Sequence, residues 1–168
     1  DAQKVADQPW AKDVDIVEGN ATVVSDLDRA LKGVHTAFYL LHSINLGKNF
    51  DDIESEMARN FALAAEKQGV KQIVYLGGIA NDKNRSQHLA SRMNTGAQLA
   101  STSVPVLELR AGIIIGSGSA SFEMLRHLTH RLPIMTTPKW VSNLTQPISI
   151  RDALYYLRQA ASLKQPVG

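Results

Sequence analysis

Cysteine is absent from the chain. That excludes disulfides, thiolate nucleophiles and Cys-ligated zinc, and it suits a reducing, cytoplasmic setting. Long apolar runs are also lacking, so no segment spans a bilayer as a helix, and the N-terminus is no signal peptide. Neither charge sign dominates: 18 Lys and Arg stand against 16 Asp and Glu, scattered along 168 residues. No basic cluster marks a nucleic-acid or anionic-membrane surface, so neither partner is expected. Glycine is present at an ordinary level, with 11 residues. No glycine-rich turn lies between an early strand and a helix, where a phosphate is usually cradled. Residue 1 is Asp rather than Met, and the last residues follow a helical pattern directly. Both ends read as cuts, so a piece of a longer protein is expected.

What is present is one alternation, a short run of Val and Ile followed by an amphipathic helix. Residues 15–18 read as a strand that stops at Gly19. Ser25 and Asp28 have capping-box spacing for a helix over 26–32, closed by Gly33. Residues 36–41 are apolar on both faces, which predicts a buried central strand. A long helix is expected over 50–68, where Phe50, Ile53, Met57, Phe61 and Ala64 recur at helical spacing, widened by Ala58, Ala62 and Ala65. A second buried strand follows over 71–76, ending at Gly77 and Gly78. Residues 81–85 form a polar loop. A helix over 86–101 carries Leu89, Met93, Gly96 and Leu99 on one face. A strand over 105–110 continues past a small-residue break through 112–116. Then come a helix over 121–130, an extended piece over 147–150 and a last helix over 151–163.

This order predicts one α/β domain over 1–168, a parallel sheet with helices on both faces. Ligands of such sheets sit beyond the carboxyl ends of the strands. Those ends fall at Gly19, Asn20 and Ala21, at Leu41, His42 and Ser43, at Gly77, Gly78 and Ile79, and at Ala111, Gly112 and Ile113. Glycine at a strand end permits a ligand's close approach, and it equally permits a tight turn.

Five segments in register resemble the extended and atypical short-chain dehydrogenase/reductase family, best its NmrA-like and nucleoside-diphosphate-sugar-epimerase-like branch. Gly19-Asn20-Ala21 is similar to the family's G-D-L/V step near the adenine. Leu40-Leu41-His42-Ser43 stands where its fourth strand ends. Residues 69–76 resemble its G-V-x-x-h-V-Y-h strand. Residues 110–116 resemble its R-P-x-x-V-Y-G segment near the nicotinamide, and residues 146–153 its late H/Q-P-I-x-h-x-D-h step. The resemblance implies a Rossmann-like fold and NAD or NADP as cofactor of the whole protein. It implies cofactor-lining roles for Asn20, Ala21, Leu41, His42, Ser43, Gly77, Gly78, Arg92, Ala111, Gly112 and Ile113.

Three departures stand out. The family's opening strand, G-x-x-G-x-x-G, helix and second strand have no counterpart here; residues 112–118 are glycine-rich but wrongly spaced. The two missing strands would lie between the strand at Asp15 and that at Thr36. At ~4.8 Å per strand this leaves a gap roughly 14 Å wide. The edge of the 36–41 strand is then open to another chain, and the fragment alone is expected to hold no dinucleotide. Second, His88 and Arg92 stand where the family has its Tyr-x-x-x-Lys pair. Spacing of four puts both on one helix face. Arg92, always charged, suits a ribose or phosphate. A nearby Arg pushes His88 toward its neutral form, a proton acceptor. A solvated surface pair is the competing reading. Third, Gly77 and Gly78 replace the family's catalytic Ser or Thr; Ser43, Ser117 and Ser119 are alternatives that nothing selects.

Other side chains offer less. His127 and His130 share a helix face with Glu123 nearby, a poor metal set. Trp140 is either a pocket wall or a hydrophobic plug. Arg110, ending a buried strand, needs an ion pair, and Asp152 is the candidate. The faces of helices 50–68 and 86–101, or the open sheet edge, offer routes to a homodimer. Two functions remain open: an NAD(P)-dependent oxidoreductase or epimerase-like enzyme with His88 as acid/base, or a non-enzymatic NAD(P)-binding redox sensor.

Overall fold

The structure is a computed structural model that describes residues 3–41, 50–79, 87–116, 120–131 and 144–163. After a short helix α1 (Gln3–Ala6) and a 3-10 turn (Ala11–Asp13) come α2 (Val24–Ala30), β1 (Thr36–Tyr39), α3 (Phe50–Gln68), β2 (Gln72–Gly78), α4 (Gln87–Leu99) and β3 (Val106–Ala111). They are followed by β4 (Ile114–Ile115), α5 (Ala120–Arg131), β5 (Ile148–Ser149) and α6 (Ile150–Ala161). Strands β1, β2 and β3 form one parallel sheet in that order. Strands β4 and β5 pair in parallel as a second, two-stranded sheet.

Hydrophobic periodicity builds these elements. Met57, Ala58, Phe61, Ala62, Ala64 and Ala65 of α3 are all buried, the stripe expected from spacing. Of these, Ala58, Phe61, Ala64 and Ala65 form one core with Ala37 and Tyr39 of β1, Ile73 and Tyr75 of β2, Leu99 of α4, Leu27 of α2 and Leu31 just after it. Register aligns Ala37 with Ile73 and Tyr39 with Tyr75, so one pleat face carries the core. Gly33 and Gly69, each at φ 75°, reverse the chain after α2 and α3, a conformation that costs glycine nothing. On the opposite pleat Val74 is fully buried, where α6 lies against β2 and β3. The α/β architecture with parallel strands between helices is therefore as expected.

Several expectations are corrected. Residues 15–18 form no strand, and Val14, Ile16 and Val17 stay exposed. A strand exists through its ladder, and no described strand pairs with this segment. Strand β1 is an edge strand rather than a central one: Phe38 is 39% and Leu40 53% exposed, because its outer edge and far pleat have no cover among the described residues. Helix α2 starts at Val24, with Val23 rather than Ser25 as N-cap and no side-chain cap. The turn begins earlier, where the Val23 amide donates to the Asn20 carbonyl (2.8 Å). Strand β2 runs through Gly77 and Gly78, which pair with Arg110 and Ala111. The chain breaks at 112–113, and β4 joins β5 instead of prolonging β3.

The buried face of α4 differs as well. Ser91, Thr95 and Leu99 are buried, while Met93 and Gly96 are half-buried. Neighbouring polar groups explain the exchange. Ser91 Oγ donates to Glu54 Oε2 of α3 (2.5 Å), and Tyr75 Oη donates to the Arg92 carbonyl (2.8 Å). Tyr39 stacks edge-on against Phe61 and Tyr75. Its hydroxyl is buried with no hydrogen-bond partner among the described residues. An unsatisfied buried hydroxyl is costly, and removing it restores about 1 kcal/mol or costs nothing. Tyr39→Phe is therefore expected to unfold in urea at the same or a higher midpoint, and a clear drop contradicts the assignment.

Candidate functional site

Parallel pairing brings the carboxyl ends of β1, β2 and β3 to one edge. Gly78 lies opposite Ala111, and the Ile79 amide donates to the Ala111 carbonyl (3.1 Å). Arg92 ties two of these ends together. One of its terminal nitrogens donates to the Leu76 carbonyl, the other to the Leu41 carbonyl (3.4 Å). The β1–β2 ladder stops at Tyr39 and Tyr75, and a guanidinium's fixed fork suits two carbonyls just beyond it. The guanidinium carbon also lies 4.9 Å from the centre of the Tyr75 ring, a cation–π contact. Leu41, Gly77, Gly78, Arg92, Ala111, Gly112 and Ile113 thus belong to one neighbourhood.

The glycines there answer partly to the protein itself. A β-carbon on Gly77 would collide with Glu108 Oε1 on β3, and one on Gly112 with the Gln146 carbonyl. Glu108 Oε2 also accepts from Arg110 (2.8 Å). Arg110 is half exposed and pairs there, not with Asp152. Asp152 is engaged by Ser149 in a capping box that starts α6, its amide donating to Ser149 Oγ (3.1 Å) and its carboxylate accepting the hydroxyl (2.8 Å).

Asn20 and Ala21 lie at the approach to α2. The Asn20 amide donates to Asp26 Oδ2 (2.9 Å), its side-chain oxygen accepts from the Thr22 amide (3.1 Å), and Asn60 of α3 reaches the Thr22 carbonyl (3.4 Å). The Asn20 amide and Arg29 hold the Asp26 carboxyl below its ordinary value. No described contact joins this turn to the strand ends. His88 lies in the first turn of α4; its side chain, and His42, Ser43, Ser117, Ser119 and Trp140, lie outside the described residues. Glu123 pairs with Arg126 through two bonds (3.0 and 2.8 Å). No group of three metal-ligating side chains occurs among the described residues, and none of their helices is long and apolar enough to cross a membrane.

Behind the strand ends lies a group the sequence left unmarked. Glu54 is 2% exposed, on the face of α3 shared with Ala58 and Phe61. Tyr39, Tyr75 and Ser91 are buried around it. Burial, and then the nearby Glu54 charge, raises the Tyr39 phenol well above 10.0. Burial also raises Tyr75, against the opposing pull of Arg92. A carboxylate placed within an apolar stripe was the available signal.

With fold and geometry in place, relatives can be compared. Residues 1–103 match the family model described as NAD(P)H-binding, and the chain belongs to that family. No curated protein matches it. Among solved structures, the fold is similar to Bordetella bronchiseptica WbmG in complex with NAD and UDP, at 18% identity and TM-score 0.72, over 90% of this chain and 55% of that one. It is similar to Citrobacter sp. triphenylmethane reductase complexed with NADP(H), at 22% identity and TM-score 0.57, over 77% and 42%. It is also similar to Escherichia coli NADPH-dependent quinone oxidoreductase QOR2 complexed with NADPH, at 25% identity and TM-score 0.53, over 67% and 36%. The chain thus spans little more than half of WbmG and less than half of the other two.

The two glycine contacts generate a test. Gly77→Ser meets only the tip of the Glu108 side chain, which can swing aside, whereas Gly112→Ala meets the Gln146 backbone carbonyl, which cannot. Gly112→Ala is expected to lose about 1–3 kcal/mol, and Gly77→Ser clearly less. Denaturant titration of both variants and the wild type checks this, and a Gly112→Ala protein of wild-type stability contradicts it.

Proposed function

We propose that this chain forms the nicotinamide-side part of an NAD(P)H site, with the cofactor lying across the carboxyl ends of β1, β2 and β3. The observation that carries this reading is Arg92, whose guanidinium bridges the Leu41 carbonyl, two residues past β1, and the Leu76 carbonyl, just beyond the last β1–β2 pair. Family membership gives the cofactor class. The described residues fit its ribose side: a fixed cation, open backbone at Leu41 and glycines at the ends of β2 and β3. They hold no glycine-rich turn leading into a helix, so the pyrophosphate cradle is not among them.

When bound, the cofactor supplies or accepts a hydride. Arg92 holds a ribose hydroxyl or phosphate oxygen by exchanging a strand carbonyl for it. His88, one turn before Arg92 on α4, takes up or returns the substrate proton. Leu41, His42, Ser43, Gly77, Gly78, Ala111, Gly112 and Ile113 line the nicotinamide side, and Asn20 and Ala21 the adenine side. The protein is then an oxidoreductase or a sugar-nucleotide epimerase-like enzyme. The packing of Glu108 over Gly77 favours a second reading, because it fills the space of a side-chain hydroxyl there. On that reading the site binds NAD(P)H without turnover and reports redox state. The outer faces of α3 and α4, with Leu63 exposed, or the free edge of β1, join two copies.

Titration with NADPH and NADH, followed by nucleotide fluorescence, tests the site. Arg92→Ala is expected to weaken binding about tenfold, the size of one charge-assisted hydrogen bond. Equal affinity in both proteins removes Arg92 from the site.

A further inference from the structure

Glu54 has no part in the chemistry described above, yet it is buried where carboxylates seldom are. It lies on α3, and the bond it accepts comes from Ser91 of α4, itself 5% exposed. Ser91 directly precedes Arg92. The Ser91 carbonyl accepts from Thr95 Oγ1 (3.0 Å), and the Arg92 carbonyl accepts from Tyr75 Oη (2.8 Å). One helical turn is thus gripped from three sides: by α3 through Glu54, by β2 through Tyr75, and by its own next turn through Thr95. The Arg92 side chain leaves that turn to reach Leu41 and Leu76. A hydrogen bond between two buried groups is directional, and losing this one removes one of the three grips on the turn.

We infer that Glu54 is a positioning residue for the cofactor site: by holding Ser91 it sets the rotation of α4, and so the place from which Arg92 meets the cofactor. This rests on the reading that Arg92 contacts NAD(P)H. Glu54 touches no cofactor itself. Its action on Arg92 is transmitted through the Ser91 bond, which a side-chain amide also accepts. A carboxylate retained only for packing would leave nucleotide affinity unaffected once the fold is intact.

The test is a mutant cycle in the protein, read as NADPH affinity together with melting temperature. Glu54→Ala and Ser91→Ala are expected to weaken NADPH about tenfold, as coupled neighbours do. Glu54→Gln, which keeps an acceptor for Ser91, stays within about twofold of wild type on the same grounds. Glu54→Ala/Arg92→Ala binds no worse than Arg92→Ala alone. If Arg92→Ala weakens binding while Glu54→Ala and Ser91→Ala do not, the inference is overturned and the site stands. If the double variant falls well below Arg92→Ala, Glu54 acts on the fold rather than through Arg92. If Arg92→Ala itself changes nothing, the site reading fails, and the inference with it. Should Glu54→Ala not fold, Ser91→Ala, which removes the same bond by taking away one hydroxyl, decides the matter.

Discussion

The parallel pairing of β2 with β1 on one side and β3 on the other is the constraint on which the rest depends. Parallel strands end at the same edge, so three stretches far apart in sequence deliver their carboxyl ends, two of them with glycines, to one place. That edge is short of hydrogen-bond donors. Arg92 supplies them, and in doing so turns a structural need into a cation fixed at the mouth of the sheet. The same pairing determines what is buried. With Tyr39 beside Tyr75, the core face gathers aromatic rings against α3 and α4, where Tyr75 bonds the Arg92 carbonyl and Ser91 bonds Glu54.

The sheet also explains what is exposed. Strand β1 has a partner on one side only, so Phe38 and Leu40 remain open to solvent. Residues 15–18, rich in Val and Ile, have strand composition without a ladder. Composition proposes a strand; pairing makes one.

Much of the fold was legible. The stripe of α3 and its boundaries, the glycines at 33 and 69, and the alternation of strand and helix follow from periodicity and turn chemistry. What was not legible depended on partners. Nothing in residues 36–41 says whether the strand is central or at an edge. Nothing in Arg110 selects Glu108 over Asp152, since that choice is made by the two-residue spacing along β3. Of the candidate site, Arg92 and the strand-end glycines were marked by motif and position, whereas Glu54 was hidden because an isolated carboxylate in a helix reads as surface. Gly77 was read as a lost hydroxyl. Its neighbour Glu108 shows that the space above it is used.

The central claim is that the cofactor lies over the carboxyl ends of β1, β2 and β3. Amide hydrogen exchange of the protein with and without saturating NADPH tests this most directly. The account predicts added protection at Leu41, Gly77 to Ile79, and Ala111 to Ile113, with the amino ends of the same strands unchanged. Protection confined to α5 and α6, or to the amino ends of the strands, would contradict it.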